Sequence, residues 1–218
     1  GRGRLRVGAS AAACQYILPP VLREFQKEFP KCRLSIEPGD TKEIVESLRA
    51  NTIDVAVTLE PKREPDFTFS PLFTDELMFL VNPKHPWAEV RRAVRMEIPR
   101  EQYILYLRNS RTFEQIENYF RTGKMAIKSV IDMGSMSAIK ELVKLGLGVT
   151  ILAPWVAQNE LTKKSLVALP LGRRKLNRQW GVLYWKERPM GWAEDTFIKL
   201  CQSGARQFAA SNGLRAHV

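Results

Sequence analysis

Strand and helix signals alternate through the first sixty residues, and this alternation restricts the fold more than any other feature of the chain. Arg4–Gly8 (RLRVG) reads as a short buried strand. Ile17, Leu18, Val21, Leu22, Phe25 and Phe29 then recur at helical spacing. Pro19 and Pro20 fall inside that pattern, so the helix either begins near them or kinks there. Arg33–Pro38 alternates Leu34 and Ile36 as a strand, and Asp40 with Glu43 makes a capping-box pattern ahead of a helix over Thr41–Ala50. Ile53–Leu59 (IDVAVTL) is a third strand. A β-α-β-α-β order calls for parallel strands joined by right-handed crossovers.

The pattern then changes. Phe67–Phe73 and Glu76–Val81 read as two strands parted by Thr74 and Asp75, followed by the turn-rich Asn82–Pro86. A second α/β passage starts with a strand at Tyr103–Leu107, a helix from about Arg111 to Arg121 ended by Gly123, and a strand at Ile127–Met133. Ser135 opens a helix whose Ile139, Leu142 and Val143 share an apolar face, and Gly146 ends it. Gly148–Leu152 is a strand, Pro154 starts a short helix, Gln179–Trp185 is a late strand, and Trp192–Phe208 is the last helix. This order predicts two lobes joined by two crossing segments. The first lobe is residues 1–75 completed by 178–218, and the second is 76–177. A chain of 218 residues buries roughly 70% of its unfolded surface, so neither a disulfide nor a metal is needed to hold it together.

Composition narrows the function. Hydrophobic residues at 44% and charged residues at 26% are near the globular average. No apolar run approaches the ~18 residues of a spanning helix, so a membrane is not among the expected partners. The GRGRLRVG start runs straight into a strand and is not a signal peptide; the absent initiator Met points to a longer protein. Cys14, Cys32 and Cys201 are an odd set without CxxC spacing, as expected of free thiols in the cytoplasm. Cys14 near a helix start reads either as a stabilised thiolate open to redox sensing or as a small buried apolar residue. His85 and His217 stand apart, so a catalytic triad or zinc site would rest on His85 alone. No catalytic residue, metal or cofactor is expected.

The net charge is +11. Residues 1–75 carry 11 Lys and Arg against 11 Asp and Glu, residues 76–177 carry 17 against 9, and residues 178–218 carry 6 against 3. The basic middle suits a nucleic acid, an acidic partner or an anionic ligand. The equal alternative is a solvated surface, because the cations are scattered.

In open α/β sheets ligands sit beyond the C-terminal ends of the strands, where helix starts present N–H groups. Five junctions qualify: Ala9–Cys14, Gly39–Thr41, Leu59–Pro61, Arg108–Thr112 and Gly134–Ser137. They are rich in Ser, Thr and Gly, with Arg108 and Arg111 among them. Hydroxyls and N–H groups of this kind make an anion or carboxylate receptor rather than a nucleophile-and-base site. Each Ser or Thr taken alone reads first as a plain helix cap; the coincidence across both halves is what points to a receptor.

The blocks LRVGAS…YILPPVLREFQKEFP, GDTKEIVESLRANTIDVAV, PLFTDELMFLVNPKHPWA and MGSMSAIKELVKLGLGVTILAP resemble, in order and spacing, the effector-binding domain of LysR-type transcriptional regulators. The last block is the most specific. The resemblance implies an α/β fold of two Rossmann-like lobes joined by two crossover strands, like a periplasmic-binding protein of type 2. It implies a preceding winged helix-turn-helix that this chain lacks, so DNA is a partner only through that absent domain. A small, anionic metabolite is the implied effector, and self-association into antiparallel dimers or tetramers is the implied assembly. The contacts implied by the resemblance are Ser10 with Ala11 and Ala12, then Thr41, in the first lobe, and Asn109, Ser110 and Thr112, then Ser135 with Met136, in the second. The junctions themselves add the Ala13 backbone, Leu59, Arg108 and Gly134. Ala11, Ala12 and Met136 stand where hydroxyls are common in the family, so the ligand is less polar or leans on backbone N–H groups and Arg108. Two other classes stay open: a periplasmic solute receptor, and an enzyme, for which only Asp40, Glu60 and Arg108 offer titratable groups at the junctions.

Overall fold

The computed structural model describes residues 3–217; Gly1, Arg2 and Val218, assigned above to the first lobe, lie outside them. In chain order the elements begin with β1 (Arg4–Ala9), α1 (Leu18–Glu28), β2 (Arg33–Pro38), α2 (Thr41–Arg49), β3 (Val55–Leu59) and β4 (Phe67–Val81). They continue with α3 (Pro86–Val90), β5 (Gln102–Tyr106), α4 (Arg111–Thr122), β6 (Ser129–Met133), α5 (Met136–Lys144) and β7 (Thr150–Leu152). The last are α6 (Gln158–Thr162), β8 (Val167–Leu169), β9 (Leu176–Trp185), α7 (Trp192–Asn212) and β10 (Arg215–Ala216). The chain divides into two compact units, one of residues up to Asp75 with those from Arg178 onward, the other Glu76–Asn177.

In the first unit the strand order is β10-β4-β9-β3-β1-β2. β1 pairs in parallel with both β2 and β3, and β9 closes antiparallel on β3. The parallel crossovers read from the sequence are therefore present. One side of the core joins α1 to α7, with Phe25 and Phe197 edge to face at 6.1 Å. The other packs Ile44, Val45 and Leu48 of α2 with Ile53, Ala56 and Leu183.

α1 begins at Leu18, directly before Pro19 and Pro20, as the sequence allowed. Helical backbone begins at Ala11, and a π turn over Ala13–Ile17 leads into α1. There the Leu18 N–H returns five residues to the Ala13 carbonyl. Prolines cannot donate to the carbonyls four residues back, and the wider turn falls immediately before them.

Residues 67–81 form one fifteen-residue strand where the sequence suggests two. The expected break fails because Asp75 is bonded from the side. Its carboxylate accepts from Arg178 Nε at 2.9 Å, from the Arg178 fork at 2.6 Å and from Trp180 Nε1 at 2.9 Å. All three donors lie on β9, and Asp75 and Arg178 are 2% and 6% exposed.

In the second unit β5 and β6 run parallel. Tyr103 of β5 bridges to Val149, and β7 and β8 pair antiparallel with the later residues of β4. Gly146 ends α5 with φ +78°, a conformation suited to glycine. A Cβ on Gly148 would stand 2.6 Å from the Gln102 carbonyl, so only glycine lets the chain approach β5 there. Phe79 anchors the core against Trp87, Tyr103 and Phe120, at ring distances of 5.2, 6.5 and 6.2 Å. Burial pushes the Tyr103 phenol well above its ordinary value, and its hydroxyl donates to the Ile98 carbonyl at 2.7 Å.

Candidate functional site

Each unit gathers a set of strand-to-helix junctions, and the two sets are built alike. In the first unit, parallel pairing puts the C-terminal ends of β1, β2 and β3 at one sheet edge. The Ser10 N–H reaches the Val57 carbonyl at 3.4 Å, and the Gly39 N–H reaches the Ala9 carbonyl at 3.1 Å. These bonds bring the Ser10 and Thr41 junctions side by side. Ser10 Oγ accepts from the Ala13 N–H at 3.3 Å, capping the helical stretch that Ala11 opens. Ala11 is exposed, whereas Ala12 and Ala13 are buried.

Thr41, the first residue of α2, is buried, and its Oγ1 lies 3.0 Å from Thr58 Oγ1 on β3. Thr58 escaped the sequence reading, although a single hydroxyl in the otherwise apolar run VAVTL was a signal. The expected capping box is in place: the Glu43 carboxylate accepts from the Asp40 N–H at 2.8 Å, and the Asp40 side chain accepts from the Glu43 N–H. Leu59 is buried and paired with Trp180, and it brings no polar group to the junction.

In the second unit, Ser110 precedes α4 and Ser135 precedes α5. Ser110 Oγ accepts from Phe113 N–H at 3.1 Å and Ser135 Oγ from Ala138 N–H at 3.2 Å. Ser110 is buried, while Asn109, Gly134 and Ser135 are exposed and Thr112 and Met136 half-buried. Gly134 sits against the Leu107 side chain. Arg108 is committed to its own sheet. Its Nε donates to Asp132 Oδ1 at 3.2 Å, a terminal nitrogen donates to the Val130 carbonyl at 3.3 Å, and its guanidinium carbon lies 5.5 Å from the Phe113 ring centre.

A cap serine uses one lone pair for the helix and keeps its O–H proton as a donor. The first N–H groups of a helix have no acceptor within it. Each junction can therefore offer donors to an anion, favoured by the helix dipole by roughly 0.3–1 kcal/mol.

Other candidates resolve differently. Burial raises the Cys14 thiol above its ordinary value, against the lowering effect of a backbone hydrogen bond. Cys14 is half-buried, with Sγ 3.6 Å from the Ala9 carbonyl. His85 caps α3: its Nδ1 accepts from the Trp87 N–H at 3.1 Å, and its Nε2 lies 3.2 Å from Glu101. Among the described residues no group of three His, Cys, Asp or Glu is placed to hold a metal ion, and no helix is long and apolar enough to cross a membrane.

The family model described as "LysR substrate binding domain" matches residues 1–206. The HTH-type transcriptional regulator CysL of Bacillus subtilis is 25% identical over 183 residues, covering 84% of this chain and 61% of that protein. The chain thus spans less than two thirds of that relative's length. Among solved structures, the regulatory domain of Synechocystis PCC6803 CcmR in complex with 2-PG superposes with a TM-score of 0.84 at 22% identity, covering 94% of this chain and 98% of that one. The effector-binding domain of QuiR in complex with shikimate gives 0.81 at 20% identity, covering 95% and 99%. These neighbours carry the α/β fold of the periplasmic-binding-protein type 2 class that the sequence led us to expect.

Proposed function

The chain belongs to the LysR substrate-binding domain family, and from that membership we propose that it is the effector-binding part of a cytoplasmic LysR-type transcriptional regulator. It is a binding module rather than an enzyme. The periplasmic solute receptor left open on sequence grounds is set aside, because the family model and the matched relative belong to LysR-type regulators.

The proposed effector is a small anionic metabolite. Its contacts are Ser10, Thr41 and the Ala11–Ala13 backbone in the first unit, and Ser135 with the first N–H groups of α5 in the second. Ser110, Asn109 and Thr112 complete the second set, and Leu59, Gly134 and Met136 contribute apolar or backbone surface. Arg108 joins only by giving up Asp132. Ligand binding shifts the population of conformers and so the DNA binding of a helix-turn-helix domain elsewhere in the protein. The protein is proposed to work as a dimer or tetramer.

The observation that carries this reading is the repeated serine cap, at Ser10 and at Ser135, on helices that start at the C-terminal ends of parallel strands. The test is a thermal-shift screen of small carboxylates and phosphates, including shikimate and 2-PG, on wild type and on Ser10→Ala and Ser135→Ala. Each variant loses about 1 kcal/mol of unliganded stability as a lost cap. The proposal further requires that the stabilisation produced by the best anion shrink in both. An undiminished ligand response in both variants would refute the assignment.

A further inference from the structure

The second unit carries most of the chain's positive charge, with 17 Lys and Arg against 9 Asp and Glu over residues 76–177. That charge is answered unevenly. Asp132, Glu114, Glu160, Glu141 and Glu76 lie against Arg108, Arg111, Lys140, Lys144 and Lys175 in turn. The segment joining β4 to β5 differs. Arg91, Arg92, Arg95 and Arg100 are all exposed there, and none has a carboxylate partner among the described residues. Two acids of the segment are engaged elsewhere: Glu97 accepts from Trp87 Nε1 at 2.6 Å, and Glu101 lies 3.2 Å from His85 Nε2. Glu89 is left to offset four guanidinium groups.

These arginines stand on a fixed frame. Trp87 and Ile98 are buried, and the Tyr103 hydroxyl holds the Ile98 carbonyl at 2.7 Å. The Arg92 N–H returns to the Trp87 carbonyl at 3.1 Å, and a terminal nitrogen of Arg95 donates to the Gly123 carbonyl, just past α4, at 3.4 Å. Among the arginines, Val90 and Met96 are 54% and 73% exposed. The segment therefore sets uncompensated positive charge beside apolar side chains that face solvent.

We propose that this segment is a docking surface for an acidic, amphipathic segment of another protein. Carboxylates of the partner pair with Arg91, Arg92 and Arg95, and its apolar side chains cover Val90 and Met96. All four cations are arginine, whose weakly hydrated planar fork pairs with carboxylates in a fixed geometry. Arginine and methionine are also enriched in protein interfaces, where lysine is depleted. A nucleic-acid duplex would answer the charge alone and leave Val90 and Met96 against phosphates. Tying the arginines to the core through Trp87 and Ile98 lowers the ordering cost of docking.

The experiment uses the whole chain and a fluorescein-labelled synthetic peptide of Asp and Glu that carries Leu and Phe at helical spacing. Binding is followed by anisotropy and by the methyl signals of Val90 and Met96. A Kd below about 100 μM at low salt is expected, weakened about fivefold or more at ~0.3 M salt, with both methyls shifting. Arg92→Glu should weaken binding about fivefold or more, and Arg92→Glu/Arg95→Glu further. Met96→Ser, and the peptide with its Leu and Phe replaced by Ser, should each weaken it about threefold or more. Lys163→Glu, the same charge change at an exposed position outside the segment, should leave it within about twofold. Thermal melts confirm that each variant folds. Failure to saturate by about 1 mM peptide, equal losses in Lys163→Glu and Arg92→Glu, or undiminished binding of the Ser-substituted peptide overturns the proposal. Tighter binding of a mixed-sequence DNA duplex that moves the same methyls would make this a nucleic-acid contact, and the proposal fails. It fails equally if Arg92→Glu alters the oligomeric state while the peptide leaves the methyls unmoved, because the segment is then a subunit contact.

Discussion

Replacing Arg178 by Met would test the strongest polar link of the first unit. Arg178 gives the Asp75 carboxylate two hydrogen bonds, at 2.9 and 2.6 Å, and Trp180 gives a third at 2.9 Å. With Arg178 gone, a carboxylate that is 2% exposed loses its opposite charge and two of these three donors. Stranding one member of a buried pair costs about 3–5 kcal/mol, a large share of the ~5–15 kcal/mol available to a typical domain. Asp75→Leu alone should cost a comparable amount, since it leaves the guanidinium buried. The double variant Asp75→Leu/Arg178→Met removes both charges and should recover most of the loss, because well-packed apolar replacements of buried pairs are often neutral or better. Urea unfolding followed by tryptophan fluorescence, with Trp180 in contact with the pair, closes the double-mutant cycle. A coupling energy above about 2 kcal/mol is expected. Single variants costing under about 1 kcal/mol, or a double variant as damaging as the sum of the singles, would refute the reasoning.

Two further outcomes follow from titrating groups. Burial raises the Asp54 carboxyl, but the Arg6 side chain, the Arg6 N–H and the charge of Arg188 outweigh it, so its pKa lies below the ordinary value. The stabilisation is therefore complete above the unfolded pKa of about 3.9 and is lost as pH falls through the lower folded value; urea midpoints of Asp54→Asn should show a shallower acid limb than wild type. Cys14, raised by burial, should react with iodoacetamide at neutral pH more slowly than free cysteine. A faster reaction would revive the redox-sensor reading.

Local signals proved legible and remote ones did not. Strands β1, β2 and β3 and helices α2, α4 and α5 could be read because apolar spacing and caps are set within a few residues. Ser135 and Ser110 announced helix starts, and their hydroxyls do cap them. The break expected at Asp75 did not occur because the residues that hold it straight lie 103 and 105 positions away. Arg108 was placed correctly after β5, but its direction is decided by Asp132 on the neighbouring strand, 24 residues on. Thr58 was passed over because a hydroxyl in a strand has no local partner; its mate, Thr41, arrives only through parallel pairing.

The caps themselves raise the question of how to separate a structural serine from a ligand-binding one when the same atom serves both. Loss of the hydroxyl disturbs both functions, so Ser135→Ala alone gives a mixed answer. Ser135→Asp separates them. Aspartate caps helices about as well as serine and its charge suits the positive end of α5, so unliganded stability should stay near wild type or rise. A carboxylate at that place meets an anionic effector with like charge. At about 4 Å that repulsion is worth roughly 1 kcal/mol in water and about 4 kcal/mol at the effective dielectric of a protein surface. Ser135 is exposed, so the lower figure applies, and about 1 kcal/mol lowers affinity roughly fivefold. A thermal-shift titration should therefore show Ser135→Asp with an intact unliganded melting temperature and about a fivefold or greater loss of affinity for the anion found by the screen. An intact response to that anion would mean that the hydroxyl of Ser135 serves its helix alone.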